Sequence, residues 1–585
     1  MARRPAAEQI TLDLIDVLIR ENLFSTADRL AETPSADPDT HEIACRIPLI
    51  EGELHFVGRP GGALQAVRAS STPVWIHDDR RTPLTDPGRV LELVAAAADA
   101  PALVEVVADL RLAVSHAERM HAGWRHLAPD TAGPALLTGE RIASLRNRPF
   151  HPTAHAVSGW DSAEVDRFGP MREQPLAMGW IGVRRARLRT GSAAESSALE
   201  ALLLNGAERT ALGNAMAASG VDLAEYQPVP IHPWQRDNAL ARHFGPELGA
   251  RDIVVLPLDS GRFCPTSSLR SLIASDDPNI HLKVPIEVAT LGSTRLLPAQ
   301  YLDNGERGQK LLHLLRDRSN ILGDIVDLCD ERTWCGWNDP DEFARRPGLL
   351  SAQVRRYPPT ADDEVTLPMS GFAAWGWDSL RPHLLTANFD PADPLRLFEE
   401  LVAGFWTMAL EFANFGAMPE LHGQNVLVVL GGGRVKRFVL RDHDTVRIVP
   451  EALKRAGIPD PEYRIPDGVP QSLRLESAER LLSYLQTLGV QVNLYGIADS
   501  LADEFGIPES AFWRILERTL RGSLESGTVC TTVADTMREL FLDRQTWPSR
   551  QIFGPLLQRG RSTEASMPAS VGRVPNPLTT AESHA

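Results

Sequence analysis

Cysteine is scarce in this 585-residue sequence: there are five, and none forms a CxxC pair. A small odd number of scattered cysteines excludes a disulfide framework and a structural zinc site of the usual spacing, and is typical of the reducing cytoplasm, where we expect the protein to act. No uncharged apolar run is long enough to cross a bilayer. The stretch after the N-terminal Met-Ala-Arg-Arg-Pro is interrupted by Asp13 and Asp16, so it lacks the apolar centre of a signal peptide.

Positive charge is also in short supply, because 76 acidic residues stand against 60 basic ones and the net charge is −16. This excess repels nucleic acid and anionic membranes, and we predict neither as a partner. Small anions are compatible with it, because a single pocket can concentrate a few Arg and Lys side chains. Hydrophobic residues make up 43% of the chain, which allows a large buried core.

Helical and strand-like periodicities both occur along the chain, which predicts an α+β protein. Asp393 and Pro394 have the residue types of a helix start, and Gly416 has that of a stop. After about Arg559 few large apolar residues remain, so we expect a disordered tail. The other predicted elements are helices over 8–23 and 477–542, strands over 253–258 and 280–290, and turns at 259–261 and 276–279.

The densest polar motif is Glu420-Leu421-His422-Gly423-Gln424-Asn425, which two apolar runs around a Gly-Gly-Gly triplet connect to Arg441-Asp442. The glycines predict a hairpin loop. If they are the whole loop, Leu430 faces Arg434, and the register then places His422 opposite Asp442. The polar residues would gather at one end of an apolar ribbon.

Such a cluster has the chemistry of a magnesium–nucleotide site. Carboxylates of Glu420 and Asp442 and the amide oxygen of Asn425 are hard oxygen ligands for Mg²⁺. His422 and Arg441 can meet phosphate or carboxylate oxygens. We favour this interpretation over a hairpin whose polar ends are simply solvated.

A second cluster is basic and hydroxyl-rich: Thr266-Ser267-Ser268-Leu269-Arg270, then Lys283 and Arg295. Strand alternation would place Ser268 and Arg270 on one face, with Lys283 on a neighbouring antiparallel strand. Cations and hydroxyls on one face suit a triphosphate, since Arg grips oxygens in pairs. By itself this cluster also fits a solvated strand face.

A third cluster is Arg148-Pro149-Phe150-His151-Pro152. Each proline fixes its own φ and restricts the residue before it, so His151 lies on a rigid, extended segment. Because an imidazole titrates near neutral pH, His151 is a candidate general base.

Taken in order, these motifs resemble the siderophore synthetases that are independent of nonribosomal peptide synthetases, the aerobactin-synthetase-like family, over residues 140 to 450. The resemblance implies a hand-like α+β fold with an antiparallel sheet in the fingers, a helix-rich palm and a homodimer. The implied domains are a thumb over 1–160, fingers over 161–365, a palm over 366–560 and the tail over 561–585.

The resemblance also implies the activity: with ATP and Mg²⁺ the enzyme adenylates a carboxylic acid, citrate as first candidate, and condenses it with an amine or alcohol. Small molecules are then its substrates. The positions that carry over are Ser268, Arg270 and Lys283 for the phosphates, Gln424, Asn425 and Arg441 for the nucleotide, Arg295 and His422 for the acid or α-phosphate, and Glu420 and Asp442 for the metal.

The sequence departs from the family pattern at His155, Val157 and Leu291, which stand where Lys, Arg and Thr are usual. These changes leave the acid open, so 2-oxoglutarate or a succinyl or citryl hydroxamate precursor is an alternative substrate. A kinase-like phosphotransferase is disfavoured, because no Gly-rich phosphate loop occurs near the N-terminus and no Asp follows His422 by two residues. A binding homologue without catalysis is a third alternative.

Overall fold

The structure, a computed structural model, describes residues 4–34, 42–60, 64–96, 98–127, 133–193, 198–562 and 569–580. Helices and strands are mixed within these ranges, which confirms the predicted class. None of the described helices combines the length and the apolar composition that crossing a bilayer requires.

The N-terminal region packs helices on a six-stranded antiparallel sheet of order β1-β2-β3-β5-β6, with β4 on β3. Its first helix confirms the predicted periodicity, because Ile10, Leu14 and Val17 all face the core. The strands are β1 (Ala31–Pro34), β2 (Ile43–Pro48), β3 (Glu53–Pro60), β4 (Val67–Ala69), β5 (Val74–His77) and β6 (Arg80–Pro83). The helices are α1 (Ala6–Arg20), α2 (Thr26–Arg29), α3 (Pro87–Val94), α4 (Leu103–Leu127) and α5 (Ala135–Ser144).

The middle of the chain forms an eight-stranded antiparallel sheet of order β10-β8-β11-β12-β13-β18-β17-β9 and a smaller sheet of order β15-β14-β7. Their strands are β7 (Val157–Ser158), β8 (Leu176–Arg184), β9 (Leu188–Thr190), β10 (Tyr226–Ile231), β11 (Ile253–Pro265), β12 (Ser271–Ala274), β13 (Ile280–Lys283), β14 (Ile286–Thr290), β15 (Ser293–Arg295), β17 (Asp330–Trp337) and β18 (Ser351–Arg356). Strand β16 (Val326–Leu328) belongs to this part of the chain but joins the next sheet. The helices are α6 (Ser162–Phe168), α7 (Leu199–Leu203), α8 (Gly206–Ala218), α9 (Pro233–Gln235), α10 (Ala241–Gly249), α11 (Ala299–Arg318) and α12 (Asn320–Ile325).

The C-terminal region is rich in helices around a four-stranded sheet of order β16-β22-β21-β19. Its strands are β19 (Val365–Pro368), β20 (Ala417–Met418), β21 (Val426–Gly431), β22 (Arg434–Leu440), β23 (Arg447–Ile448), β24 (Thr546–Gln551) and β25 (Ser570–Pro575). The helices are α13 (Met369–Phe372), α14 (Trp377–Thr386), α15 (Pro394–Asn414), α16 (Pro450–Arg455), α17 (Ala478–Tyr484), α18 (Tyr495–Phe505), α19 (Glu509–Glu525), α20 (Thr531–Met537), α21 (Phe553–Arg559) and α22 (Pro577–Thr580).

Helix α15 begins as the sequence predicts. The Asp393 side chain accepts the backbone N–H of Arg396, and Pro394 occupies the first turn, where a missing N–H costs nothing. Gly416 follows the helix with φ +76°, a conformation that a side chain disfavours. Helical segments fill the second predicted range between Ala478 and Asp543.

The predicted turn at Asp259-Ser260-Gly261 is wrong. Strand β11 runs through these residues, and shifts in its register with β8 fall between Val255 and Asp259 and between Ser260 and Phe263. Bulges absorb the polar residues without ending the strand. By contrast, the predicted turn at residues 276–279 does separate β12 from β13.

The predicted register of the glycine hairpin is also wrong. Only Gly432 and Gly433 form the loop, both with positive φ, so Gly431 pairs with Arg434 and Leu430 pairs with Val435. A bulge then shifts the ladder, which ends where Val426 pairs with Leu440. His422 and Asp442 therefore lie beyond the ladder and are not cross-strand partners.

The predicted disordered tail is wrong over the residues that the structure describes. Strand β25 pairs antiparallel with β24 from Gln551–Ser570 to Thr546–Pro575. Val574 and Leu578 are buried in the core of the C-terminal region. Pairing with a distant strand supplies the contacts that the local composition lacks. Residues 563–568 and 581–585 lie outside the described residues, and the thumb, fingers and palm boundaries stay a prediction.

One buried and one exposed apolar residue of the tail allow a matched stability test. Leu578 is 2% exposed and Val571 is 73% exposed. We expect Leu578→Ala to lower the free energy of unfolding by about 2–5 kcal/mol, because it empties a core site, and Val571→Ala to change it by less than about 0.5 kcal/mol. Urea unfolding followed by tryptophan fluorescence measures both; equal, near-zero effects would mean that the tail does not pack.

Candidate active site

The hydroxyl-rich segment Thr266–Arg270 is a tight turn between β11 and β12, not part of a strand as expected. Ser268 Oγ accepts the N–H of Ser271 at 3.1 Å, and Thr266 Oγ donates to the Ser271 carbonyl at 2.8 Å. Leu269 has φ +65°. The Arg270 guanidinium donates to the carbonyl of Leu296. The hydroxyls thus fix a turn that presents Ser268 and Arg270 at the end of two interior strands of the large sheet.

The end of β13 meets the end of β22 through a buried ion cluster. Lys283 and Arg355 both contact Oδ1 of Asp442, and Arg355 also pairs with Glu331 at 2.5 Å. Lys283 and Arg355 are 5% and 1% exposed. Burial raises the pKa of Asp442, but the charges of Arg355 and Lys283 outweigh it and hold the pKa well below its usual value. The basic cluster and the hairpin end therefore share one cleft.

A tight turn precedes β21 and aims the His422 ring. Its Nδ1 accepts the N–H of Gln424 at 3.2 Å, which leaves the hydrogen on Nε2, 3.5 Å from Glu420. Gly423 is required here, because a Cβ would lie 2.8 Å from the Asn493 side chain. Gln424 Nε2 donates to Ser267 at 3.3 Å, so this turn also contacts the Thr266–Arg270 turn.

Carboxylate and amide oxygens converge beside His422. Burial raises the pKa of Glu420, but the hydrogen bond from His422 and the charge of Arg447, 3.1 Å away, outweigh it and lower the pKa. Burial, with the neighbouring charges of Asp442 and Glu420, raises the pKa of Asp444 to about 6. Asn425 Oδ1 is buried and has no hydrogen-bond partner among the described residues. Asn425 Nδ2 donates to Glu420 at 3.4 Å, and an orphaned acceptor beside that carboxylate points to a cation as its partner.

Several guanidinium groups line the other side of the cleft. Burial and the charges of Arg270 and Arg148 lower the pKa of Arg295 to about 9. Arg295 donates to the carbonyl of Thr290 at 3.0 Å and to its hydroxyl. Within the described part of the chain, no carboxylate forms an ion pair with any of these three arginines, although the charges of Asp442 and Asp444 raise the pKa of Arg270 against the effect of burial. Arginines that repel each other without a direct carboxylate partner favour a bound anion.

The expectation that His151 titrates near neutral pH is wrong. Its side chain is 3% exposed, and burial together with the charges of Arg148 and Arg20 lowers its pKa to about 3. Nδ1 accepts the N–H of Thr153 at 3.3 Å. A neutral imidazole with so low a pKa is a poor proton acceptor at pH 7, so we do not assign it as the general base.

Arg441 does not face the cleft as expected. It is 5% exposed and pairs with Glu140 at 2.6 Å and with the Tyr357 hydroxyl at 2.7 Å. It also donates to the carbonyl of Gln424 at 2.7 Å. Its place next to Asp442 suggested a ligand contact, but its donors are used inside the protein, where they position the Gln424 backbone.

The structure shows the surroundings of the three residues that depart from the family pattern. Leu291 and Gly292 form the turn of the β14–β15 hairpin, both with positive φ, and the neighbouring Thr290 accepts hydrogen bonds from Arg295. Val157 lies in β7 and pairs with Thr290. The His155 ring lies 6.1 Å from the His121 ring.

Sequence reasoning missed four charged residues of the cleft: Arg355, Glu331, Asp444 and Arg447. Arg355, Glu331 and Arg447 pair with residues of other segments, so no local motif marks them, whereas Asp444 lies two residues after Asp442 and outside the motif. For Arg355 one signal existed, namely a strand that ends in two adjacent arginines, Arg355-Arg356. A buried strand carries an arginine only where a carboxylate meets it.

Removal of the central carboxylate tests the ion cluster. Asp442 has φ +59°, which Asn tolerates, so Asp442→Asn keeps the backbone and removes the charge. We expect a loss of about 3 kcal/mol in the free energy of unfolding at pH 7, because Lys283 stays buried without a partner. A depressed pKa stabilises the fold above the ordinary aspartate pKa, so the difference should narrow as the pH falls below about 4. Urea midpoints across pH measure this; an equal loss in the exposed control Asp503→Asn would contradict it.

Comparison with known proteins agrees with this geometry. The family model described as IucA / IucC family matches residues 137–374, and the model described as Ferric iron reductase FhuF-like transporter matches residues 402–564. The structure is similar to petrobactin biosynthesis protein AsbB from Bacillus anthracis str. Sterne (TM-score 0.79, 18% identity, 98% of this chain and 96% of that one). It is also similar to ATP-bound aerobactin synthetase IucA from Klebsiella pneumoniae (TM-score 0.74, 17% identity, 99% of this chain and 100% of that one).

A curated relative extends the likeness over most of the sequence. Staphyloferrin B synthase of Staphylococcus aureus (strain NCTC 8325 / PS 47) is 33% identical over 515 residues, which cover 85% of this chain and 87% of that protein. With that identity over that length, the chain belongs to the IucA/IucC family of siderophore synthetases that work independently of nonribosomal peptide synthetases.

Proposed function

We propose that this siderophore synthetase uses ATP to adenylate a carboxylic acid, citrate as first candidate, and condenses it with an amine or alcohol, releasing AMP and pyrophosphate. The observation that carries the proposal is the contact of Lys283 with Asp442, which joins the basic strand end and the polar hairpin end in one cleft. Membership of the IucA/IucC family supports the ligase chemistry.

The cationic side of the cleft suits the triphosphate and the acid. A carboxylate must approach an anionic α-phosphate, so fixed positive charge has to offset the repulsion between them. Lys283 and Asp442 neutralise each other, and the charge left over comes from Arg270 and Arg295. In this proposal Ser268, Arg270 and Lys283 hold the phosphates, while Arg295 grips the acid.

The turn before β21 supplies imidazole and amide groups rather than guanidinium groups. His422 Nε2–H lies 3.5 Å from Glu420, and in this proposal it donates instead to the acid or the α-phosphate, where it stabilises negative charge. Gln424 and Asn425 offer amide groups to the nucleotide. Positioning of the acid against the phosphorus atom then supplies much of the acceleration.

The residues present fit magnesium. Asp444 forms no hydrogen bond with another described side chain, Asn425 Oδ1 is orphaned, and Glu420 and Asp442 carry depressed pKa values and stay ionised. No three described His, Cys, Asp or Glu side chains approach closely enough to enclose a metal. These oxygen groups match Mg²⁺, which proteins usually hold through one or two carboxylates and the substrate phosphates. The ion would neutralise part of the charge of the phosphates.

Product analysis separates the alternatives. We expect incubation with ATP, Mg²⁺, hydroxylamine and a panel of citrate, 2-oxoglutarate and succinyl or citryl hydroxamate precursors to give AMP, pyrophosphate and the hydroxamate of one acid. ADP instead of AMP would identify a phosphotransferase, and no nucleotide product with any acid would identify a binding homologue. The homodimer is likewise a proposal, which light scattering tests.

Arg270→Ala tests the phosphate assignment. Loss of one half-buried charge that faces the developing negative charge is expected to lower the rate of AMP formation about 100-fold or more. Thermal unfolding should show that the variant folds. Arg209→Ala, on the exposed face of α8, is the matched control and should keep full activity. Comparable rates in the two variants would refute the assignment.

A further inference from the structure

A buried glutamate of the N-terminal region reaches both turns of the cleft. Glu140 lies in α5, and 0% of its surface is exposed. Its Oε1 pairs with Arg441 at 2.6 Å, and its Oε2 accepts the hydroxyl of Ser267 at 3.2 Å. A carboxylate inside a protein needs such partners, because an unpaired buried charge is costly. Glu140 therefore connects α5 with the Thr266–Arg270 turn and with the residue that follows β22.

The contacts of Glu140 belong to a closed ring of polar contacts. Gln424 Nε2 donates to Ser267 Oγ at 3.3 Å, and Arg441 Nε donates to the Gln424 carbonyl at 2.7 Å. The ring thus runs from Glu140 through Ser267 and Gln424 to Arg441 and back to Glu140. Its members come from the N-terminal region, the middle of the chain and the C-terminal region. The ring can form only where these three parts of the fold pack together.

A glycine lets α5 approach the C-terminal sheet closely enough to place Glu140. Gly139 packs on Pro368 of β19, and a Cβ at this glycine would lie 2.6 Å from Cδ of that proline. Such a distance is too short for two carbon atoms, so a larger residue would push the helix away from the strand. The sequence Gly139-Glu140 therefore combines close packing with the buried carboxylate.

The carboxylate sets the direction of the hydrogen bonds between Glu140 and Gln424. A carboxylate that is paired with a guanidinium only accepts, so the Ser267 hydroxyl gives its single hydrogen to Glu140. The lone pairs of that hydroxyl are left for a donor, and Gln424 therefore presents its amide nitrogen to Ser267. The two ends of an amide have the same shape, so hydrogen bonds alone decide its orientation. The amide oxygen of Gln424 is the end that remains.

This amide oxygen is available to a ligand. Gln424 is partly exposed, and no donor among the described residues bonds to its Oε1. An acceptor does not bind a phosphate oxygen, because that oxygen is itself an acceptor. Its partner must carry an N–H or an O–H group. In ATP such groups occur on the nucleoside, as the 6-amino group of adenine and the 2′ and 3′ hydroxyls of ribose.

We propose that Glu140 is a positioning residue that fixes the Gln424 amide, through Ser267, with its oxygen free to accept a hydrogen bond from an N–H or O–H group of the nucleoside of ATP. This inference rests on the proposed function and adds the residue that selects the orientation of the amide. Glu140 itself does not touch the nucleotide. It acts by making Ser267 an acceptor for Gln424 Nε2.

Direct binding of nucleotides to the full chain tests whether such an acceptor is present. The probes are ATP, purine riboside triphosphate, which lacks the 6-amino group, 2′-deoxy-ATP and 3′-deoxy-ATP, each with Mg²⁺ and without an acid. Isothermal titration calorimetry is expected to give a dissociation constant about tenfold or more higher for at least one analogue than for ATP, because the acceptor then lacks its donor. Equal affinities for all the nucleotides, or no binding of any of them, would overturn the proposal.

Glu140→Gln reverses the direction of the ring at nearly constant volume. The oxygen of the new amide stays with Arg441, so its nitrogen turns to Ser267 and donates. The Ser267 hydroxyl then donates to Gln424, whose amide turns its nitrogen away from the ring. The ratio of affinities between ATP and the responsive analogue is expected to fall towards one. A merely structural role would weaken the binding of every nucleotide alike and leave that ratio unchanged.

Ser267→Ala interrupts the ring but keeps the pair between Glu140 and Arg441, so it tests the proposal if Glu140→Gln does not fold. It should also bring the affinity ratio towards one, and the double variant should lose no more than either single variant, since both residues act in one chain of contacts. Glu118→Gln, on the exposed face of α4, is the matched control and should keep the ratio. Thermal unfolding checks that each variant folds. An unchanged ratio in the folded variants of Glu140 and Ser267 would refute the positioning role.

The two proposals fail differently. Selectivity between nucleotides that Glu140→Gln abolishes, but no AMP from ATP with any acid, contradicts the proposed function and retains the positioning role. AMP formation with an unchanged affinity ratio in Glu140→Gln contradicts the positioning role and retains the proposed function.

Discussion

The contact between Lys283 and Asp442 is the interaction on which the arrangement of the cleft depends. Lys283 ends a strand of the large sheet and Asp442 follows a strand of the C-terminal sheet. Arg355 and Glu331 complete the cluster inside the protein, where an unpaired charge would be costly. Because each charge needs its partner, the two sheets are held in the one arrangement that brings the Thr266–Arg270 turn into contact with the turn of His422 and Gln424.

Around this cluster the protein separates its charges by function. Asp442 pairs with Lys283 and Arg355, and Glu420 pairs with Arg447, whereas Arg148, Arg270 and Arg295 form no ion pair with a carboxylate among the described residues. A chain with net charge −16 thus contains a locally positive region, and the proposed function assigns anionic substrates to it. The two ends of the chain are joined by Glu21, which accepts the backbone N–H groups of Ile552, Phe553 and Gly554.

Local chemistry made some elements predictable. Helix α15 starts at Asp393 and Pro394 because a capping side chain and a proline both act within one turn. The polar residues of the 420–425 motif were found because a turn brings near neighbours together. The hairpin register was not predictable, since a bulge that shifts one strand depends on packing against its neighbours. The tail was mispredicted because it has few large apolar residues of its own. Its strand is held by pairing with β24, which begins at Thr546.

The sequence by itself determined the fold class, the helix starts and the residue types that can bind a nucleotide, because capping, periodicity and side-chain chemistry are local properties. Tertiary structure alone decided which of those residues are free to bind a ligand. Arg441 and Arg148 each lie next to a recognisable motif. Arg441 forms an ion pair with Glu140, whereas Arg148 forms no ion pair with a carboxylate among the described residues. A charged side chain's role depends on the charge that meets it across the fold, and that partner can lie far away in the sequence, as Glu140 does from Arg441.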